Sequence, residues 1–150
     1  MKRFEFRLQR VLDLRRQQAE AERAHLRSLL NACERLGHEI HSLDVQLHDA
    51  RAHVRHAPSS AGEDYIALSY FESHVQRRTT TLETRRQQLH QQIAEQRVRL
   101  LEAERKLKLL EKLEARRRSE WSVEHDKEIE TLSAESHLAR LLSERRHSLV

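Results

Sequence analysis

The chain is 150 residues long, 35% charged and 37% hydrophobic, with three Phe, two Tyr and one Trp. Globular domains carry roughly 45–50% apolar residues, so a multilayered core is excluded. The net charge is only +4, with acids and bases interleaved as on a solvated helix surface and unlike the basic stripe of a nucleic-acid binder.

Leu, Arg, Glu and Ala are the commonest residues, all strong helix formers with a low rotamer cost in a helix. So polar a composition is compatible with disorder, but a disordered chain has no reason to space its leucines regularly, and here they are regular. The expected fold class is therefore all-α. A single Cys excludes an intrachain disulfide and suits a reducing compartment. The opening Met1-Lys2-Arg3-Phe4-Glu5-Phe6 leads into no apolar run, so no signal peptide is expected. No run of 18 apolar residues exists, so neither membrane spanning nor direct membrane insertion is expected. A cytosolic location follows as the expectation.

The first predicted helix covers about residues 3–56. From Leu26 the apolar positions fall at 3-4 spacing: Leu26, Leu29, Cys33, Leu36, Ile40, Leu43, Leu47, Ala50, Val54. That is the heptad seam of a coiled coil. Carried backwards, it meets Leu8, Leu12 and Ala19, with Arg15 and Glu22 as polar interruptions. Phe4, Phe6 and Val11 lie off this phase and are expected to pack elsewhere.

A bend is predicted at 57–62, in Ala57-Pro58-Ser59-Ser60-Ala61-Gly62. Proline disfavours helix in the residue before it, and serine and glycine suit turns and caps. Glu63 and Asp64 then put negative charge in the first turn of the next helix, where its dipole favours it.

The second predicted helix covers about 63–142 and ends in a frayed terminus. Its series runs Tyr65, Leu68, Glu72, Val75, Thr79, Leu82, Arg86, Leu89, Ile93, Gln96, Leu100, Ala103, Leu107, Leu110, then passes through Glu114 and Arg117 to Trp121. Ile129 and Leu132 open a shifted register, and Leu138, Leu141, Leu142 and Leu149 are irregular. Two amphipathic helices joined by a short bend fold back antiparallel, giving one coiled-coil hairpin over 1–150. At 1.5 Å per residue the helices measure roughly 80 and 120 Å, so the second overhangs the first. A register placing Ala19 opposite Ala103 and Glu5 opposite Arg117 is the expectation.

The overhang is acidic between residues 120 and 135, where Glu120, Glu124, Asp126, Glu128, Glu130 and Glu135 are opposed only by Lys127. Before it stands Arg116-Arg117-Arg118, expected near Lys2, Arg3, Arg7 and Arg10. With Phe4, Phe6 and Trp121, these residues look built for a protein partner. Near the bend, Tyr70 falls at the outermost heptad position and Phe71 on its flank. Large aromatics on a wet face are typical interface anchors, although scattered exposed apolar residues are common on any surface.

Chemistry is hard to place on this chain. The pairs His38/His41 and His53/His56 each share a helix face, but zinc needs three or four ligands, and no Cys or carboxylate completes a set. No metal or other cofactor is expected. Cys33 sits in the seam, where a small apolar role suffices. No nucleophile–base pair, phosphate loop or HExxH sequence occurs, and a two-helix hairpin offers no concave catalytic pocket. An enzyme is not expected. The basic runs lack an aromatic platform for bases, so no nucleic-acid partner is expected either.

The opening Phe4-Glu5-Phe6-Arg7-Leu8-Gln9-Arg10-Val11-Leu12-Asp13-Leu14-Arg15 resembles the start of the FliJ family of flagellar export proteins, a Phe-x-Phe-x-Leu-Gln-x-Val-Leu-x-x-Arg pattern. Leu110-Glu111-Lys112-Leu113-Glu114-Ala115-Arg116-Arg117 is similar to the family's second recurrent segment. The single bend and the longer second helix also agree, so the resemblance covers nearly the whole chain. It implies a cytoplasmic component of the flagellar type III export apparatus, peripheral to the inner face of the inner membrane. The implied partners are the hexameric export ATPase, the cytoplasmic domain of the export-gate membrane protein, and export chaperones. The resemblance directs the open end of the rod to the ATPase, and with the basic and aromatic pattern read above this gives Phe4, Phe6, Arg7, Arg116, Arg117, Arg118 and Trp121 as the expected ATPase-facing residues. Phe71, Val75 and Leu82 match the implied gate-facing surface, to which the reading of exposed aromatics adds Tyr70, while Val45 and Asp49 stand where some members carry tyrosines. A virulence type III stalk has the same architecture. A nucleic-acid-bridging coiled coil and a plain spacer are further alternatives.

Overall fold

A computed structural model describes residues 3–57 and 61–147, with side chains described as far as residue 142. The bend residues Pro58, Ser59 and Ser60 and the terminal Leu149 lie outside the described residues. Two helices account for the fold: α1, Gln9–His56, and the longer α2, Gly62–His147. They pair antiparallel as a coiled-coil hairpin. Glu22 meets Gln96, Glu39 meets Arg78 and Arg51 meets Glu72, so the partner's number falls as α1 advances.

Helix ends follow local chemistry. At the start of α2, the Asp64 carboxylate accepts the Ala61 backbone N–H at 3.0 Å, and the Asp64 N–H donates to the Ala61 carbonyl at 3.0 Å. The carboxylate contact is the reaching-back half of a capping box, and the second bond is a backbone turn, since Ala61 has no side-chain acceptor to complete the box. At the end of α1, His53, Arg55 and His56 occupy the last turn, where positive charge complements the exposed carbonyls.

Helix α1 opens at Gln9, later than the residue 3 that the periodicity suggested. Burial explains why. Phe4 and Phe6 are half-buried while Arg3, Glu5 and Arg7 are exposed. That period of two belongs to extended chain, and it accounts for the off-phase placement of both phenylalanines. The second helix continues to His147, beyond the 142 expected.

The chain divides into two compact units. The bend-proximal unit, residues 18–103, holds the longer seam. Ala19, Cys33, Val75, Leu82 and Ile93 are buried there. The nine α1 positions from Leu26 to Val54 are all buried or half-buried. Gln96 is buried among them at 3% exposure. Its amide Nε2 donates to the Glu22 carbonyl at 3.2 Å and to the Glu22 carboxylate. A buried amide without such partners would cost about 1–3 kcal/mol. Tyr65 and Arg86, on the same series, are exposed.

The terminal unit, residues 1–17 and 104–150, is built more sparely. Leu12 and Leu107 are its buried apolar residues among those described. Arg16 reaches Glu111 across the helices at 3.7 Å. Between residues 126 and 142 every described side chain is exposed.

Candidate protein-docking sites

In the terminal unit, aromatic and cationic groups converge. The Phe4 and Trp121 rings lie 5.9 Å apart between centroids and are tilted by 57°. Trp121 stacks on His125 at 4.7 Å, with 14° between planes. The Arg118 guanidinium sits 5.4 Å from the Phe4 ring centroid. Such a cation–ring contact contributes about 0.5–1 kcal/mol at an exposed site. The extended Phe4–Phe6 segment is what carries the first ring to α2.

The basic run is held in place by α2's own acids. Arg116 and Arg117 meet Glu120 at 2.9 and 3.2 Å, and Arg118 meets Glu114 at 3.1 Å. All three side chains remain at least 65% exposed. Exposed pairs of this kind are worth less than about 1 kcal/mol, so they orient the guanidinium groups at little energetic cost to a competing carboxylate. Arg7 is exposed, and Phe6 is half-buried. Sequence reasoning brought Phe4, Trp121 and the arginines to one place. It missed His125, whose signal was its i+4 spacing from Trp121.

The bend-proximal residues divide. Tyr70 is 74% exposed, as a residue at the outermost heptad position should be. Phe71 is half-buried and does not lie on the wet face. It lines a shallow groove with Ala50, His53, Val54, Ala57, Ala67 and Leu68. The small side chains of Ala50, Ala57 and Ala67 leave room for the ring. Val75 and Leu82 are each 3% exposed. They are core residues of the seam, with almost no area for a partner to touch. Val45 is exposed, and so is Asp49.

No group of three or more His, Cys, Asp or Glu among the described residues is placed to hold a metal ion. Among the same residues, no helix is long and apolar enough to cross a membrane. Cys33 is buried, with His90 Nε2 3.7 Å from its Sγ.

Comparison with known proteins gives one clear relationship. The family model described as "Flagellar FliJ protein" matches residues 4–131. No curated protein and no solved structure matches the chain. The family match begins at Phe4 and covers α1, α2 as far as residue 131, and the aromatic–cationic cluster. The chain therefore belongs to the FliJ family, whose members are components of flagellar type III export.

Proposed function

We propose that this chain is a non-enzymatic, stalk-like component of the export apparatus. It binds the hexameric export ATPase through its terminal unit, and the cytoplasmic domain of the export gate through its bend-proximal unit. It also links these to export chaperones. It works in the cytoplasm, at the inner face of the inner membrane.

The observation that carries this reading is the cluster of Phe4, Arg118, Trp121 and His125 beside the exposed Arg116–Arg118 run. Aromatic rings flanked by guanidinium groups are the composition of interface anchors. Here they occur on a unit with few buried apolar residues of its own. The ATPase contact therefore uses Phe4, Phe6, Arg7, Arg116, Arg117, Arg118 and Trp121, and its acceptor is an acidic surface with an apolar pocket. The gate contact uses Tyr70 and the exposed edge of Phe71, on the α2 stretch whose seam side is closed by Val75 and Leu82.

The test is a triple charge reversal, R116E/R117E/R118E, read by surface plasmon resonance against the export ATPase and the gate domain separately. ATPase binding falls and gate binding persists if the assignment is right; equal loss of both refutes it. F4A provides a second variant that removes the ring and leaves every charge in place.

A further inference from the structure

The bend-proximal unit carries a groove that neither proposed contact uses. Its floor is Leu30, Cys33, Ile93 and Ala94, and its rim includes His38, Arg86, His90 and Arg97. Cys33 and Ile93 are buried, whereas Arg86, His90 and Arg97 are exposed. On α2 these three follow one another at spacings of four and seven residues, which places them along one helix face.

Two features shape this groove, the first of them shared with the adjoining groove past Ile40. The first is Gly37. A glycine inside a helix costs about 1 kcal/mol relative to alanine, and close approach does not require it here, because an added Cβ would meet nothing within 4 Å. Its effect is to keep one wall of the groove low. The second is Arg86. The heptad series places it at a seam position, where an apolar residue would bury itself, yet it is exposed. Elsewhere in this unit arginines bridge the helices to carboxylates, as Arg51 does to Glu72 and Arg78 to Glu39, each at 2.6 Å. Arg86 and Arg97 have no carboxylate partner among the described residues. The acid lining the groove, Glu34, lies 3.8 Å from His38.

We propose that this groove is a docking site for an acidic amphipathic helix of a partner protein. Its apolar stripe would lie against the exposed Leu30 and Ala94, above the buried Cys33 and Ile93, and its carboxylates would pair with Arg86 and Arg97. Charge complementarity selects the occupant: an apolar floor beneath an unpaired cationic rim fits an apolar stripe flanked by Glu or Asp. The groove lies in the 30–38 and 86–97 segments, away from Tyr70 and Phe71.

The test uses a fluorescein-labelled 18-residue synthetic peptide with Leu at 3-4 spacing and Glu on both flanks. A second peptide has Gln in place of each Glu. Fluorescence anisotropy against the full chain should show saturable binding of the Glu peptide, and binding at least about tenfold weaker for the Gln peptide. R86E/R97E should weaken the Glu peptide by a similar factor, whereas R85E/R99E, with the same change in net charge on neighbouring residues, should not. G37L keeps every charge and raises the low wall, so it should also reduce binding. Circular dichroism checks that each variant keeps its helix content. Equal loss in both double reversals, or full binding by G37L, would mean general electrostatics and overturn the site. Sedimentation showing self-association that R86E/R97E abolishes would assign the groove to a second copy and overturn the proposed partner.

Discussion

The two units spend the same kind of sequence differently. In the bend-proximal unit, nine successive α1 seam positions are covered, and a buried Gln96–Glu22 contact and two short Arg–Glu bridges span the helices. The terminal unit buries Leu12 and Leu107 and then turns to rings and guanidinium groups, leaving 126–142 exposed. The first stabilises itself by matching one stripe to another, as coiled coils do. The second holds apolar and aromatic surface that its own chain does not cover. Seam-built stability thus concentrates in the bend-proximal unit, and the aromatic–cationic cluster proposed to bind the ATPase in the terminal one.

Mutations should separate the two roles. Leu82 is nearly fully buried, so Leu82→Ala leaves a cavity in the seam and should cost about 2–3 kcal/mol in urea denaturation. Gln96→Ala removes the donor to Glu22 and should cost about 1–2 kcal/mol by the same measurement. Phe4→Ala deletes the contacts with Trp121 and Arg118. It should cost about 0.5–1.5 kcal/mol and change the Trp121 fluorescence, a signal that Gln96→Ala leaves alone. A double-mutant cycle on Arg78 and Glu39, half-exposed partners, should give a coupling below about 1 kcal/mol that shrinks in high salt. Smallest of all, removing residues 127–150 should leave the melting temperature unchanged, because none of the described side chains from 127 to 142 is buried.

The seam was legible because burial in a coiled coil follows a strict period, and nothing interrupts that period from Leu26 to Val54. Periodicity failed wherever a residue's fate depends on what stands opposite. Phe71 reads as a flanking position on the wet side, yet it turns into the space left by Ala50 and Ala57. Gln96 reads as a weak point, yet it is buried because Glu22 supplies both of its acceptors. Arg86, on the same series, stays exposed, and no residue type alone separates these two outcomes. The start of α1 was misplaced for a related reason. Phe4 and Phe6 suit a helix by composition, but contact with the distant Trp121 holds their segment extended. The candidate site was legible as a set of residues, while its assignment to partners came from family likeness.

The most direct test of the account crosses two variants with two partners. R116E/R117E/R118E and Y70A/F71A are each titrated against the export ATPase and against the gate's cytoplasmic domain, with helix content checked by circular dichroism. The account predicts that the arginine variant loses the ATPase and keeps the gate, and that the aromatic variant does the reverse. Loss of the same partner by both variants would contradict it.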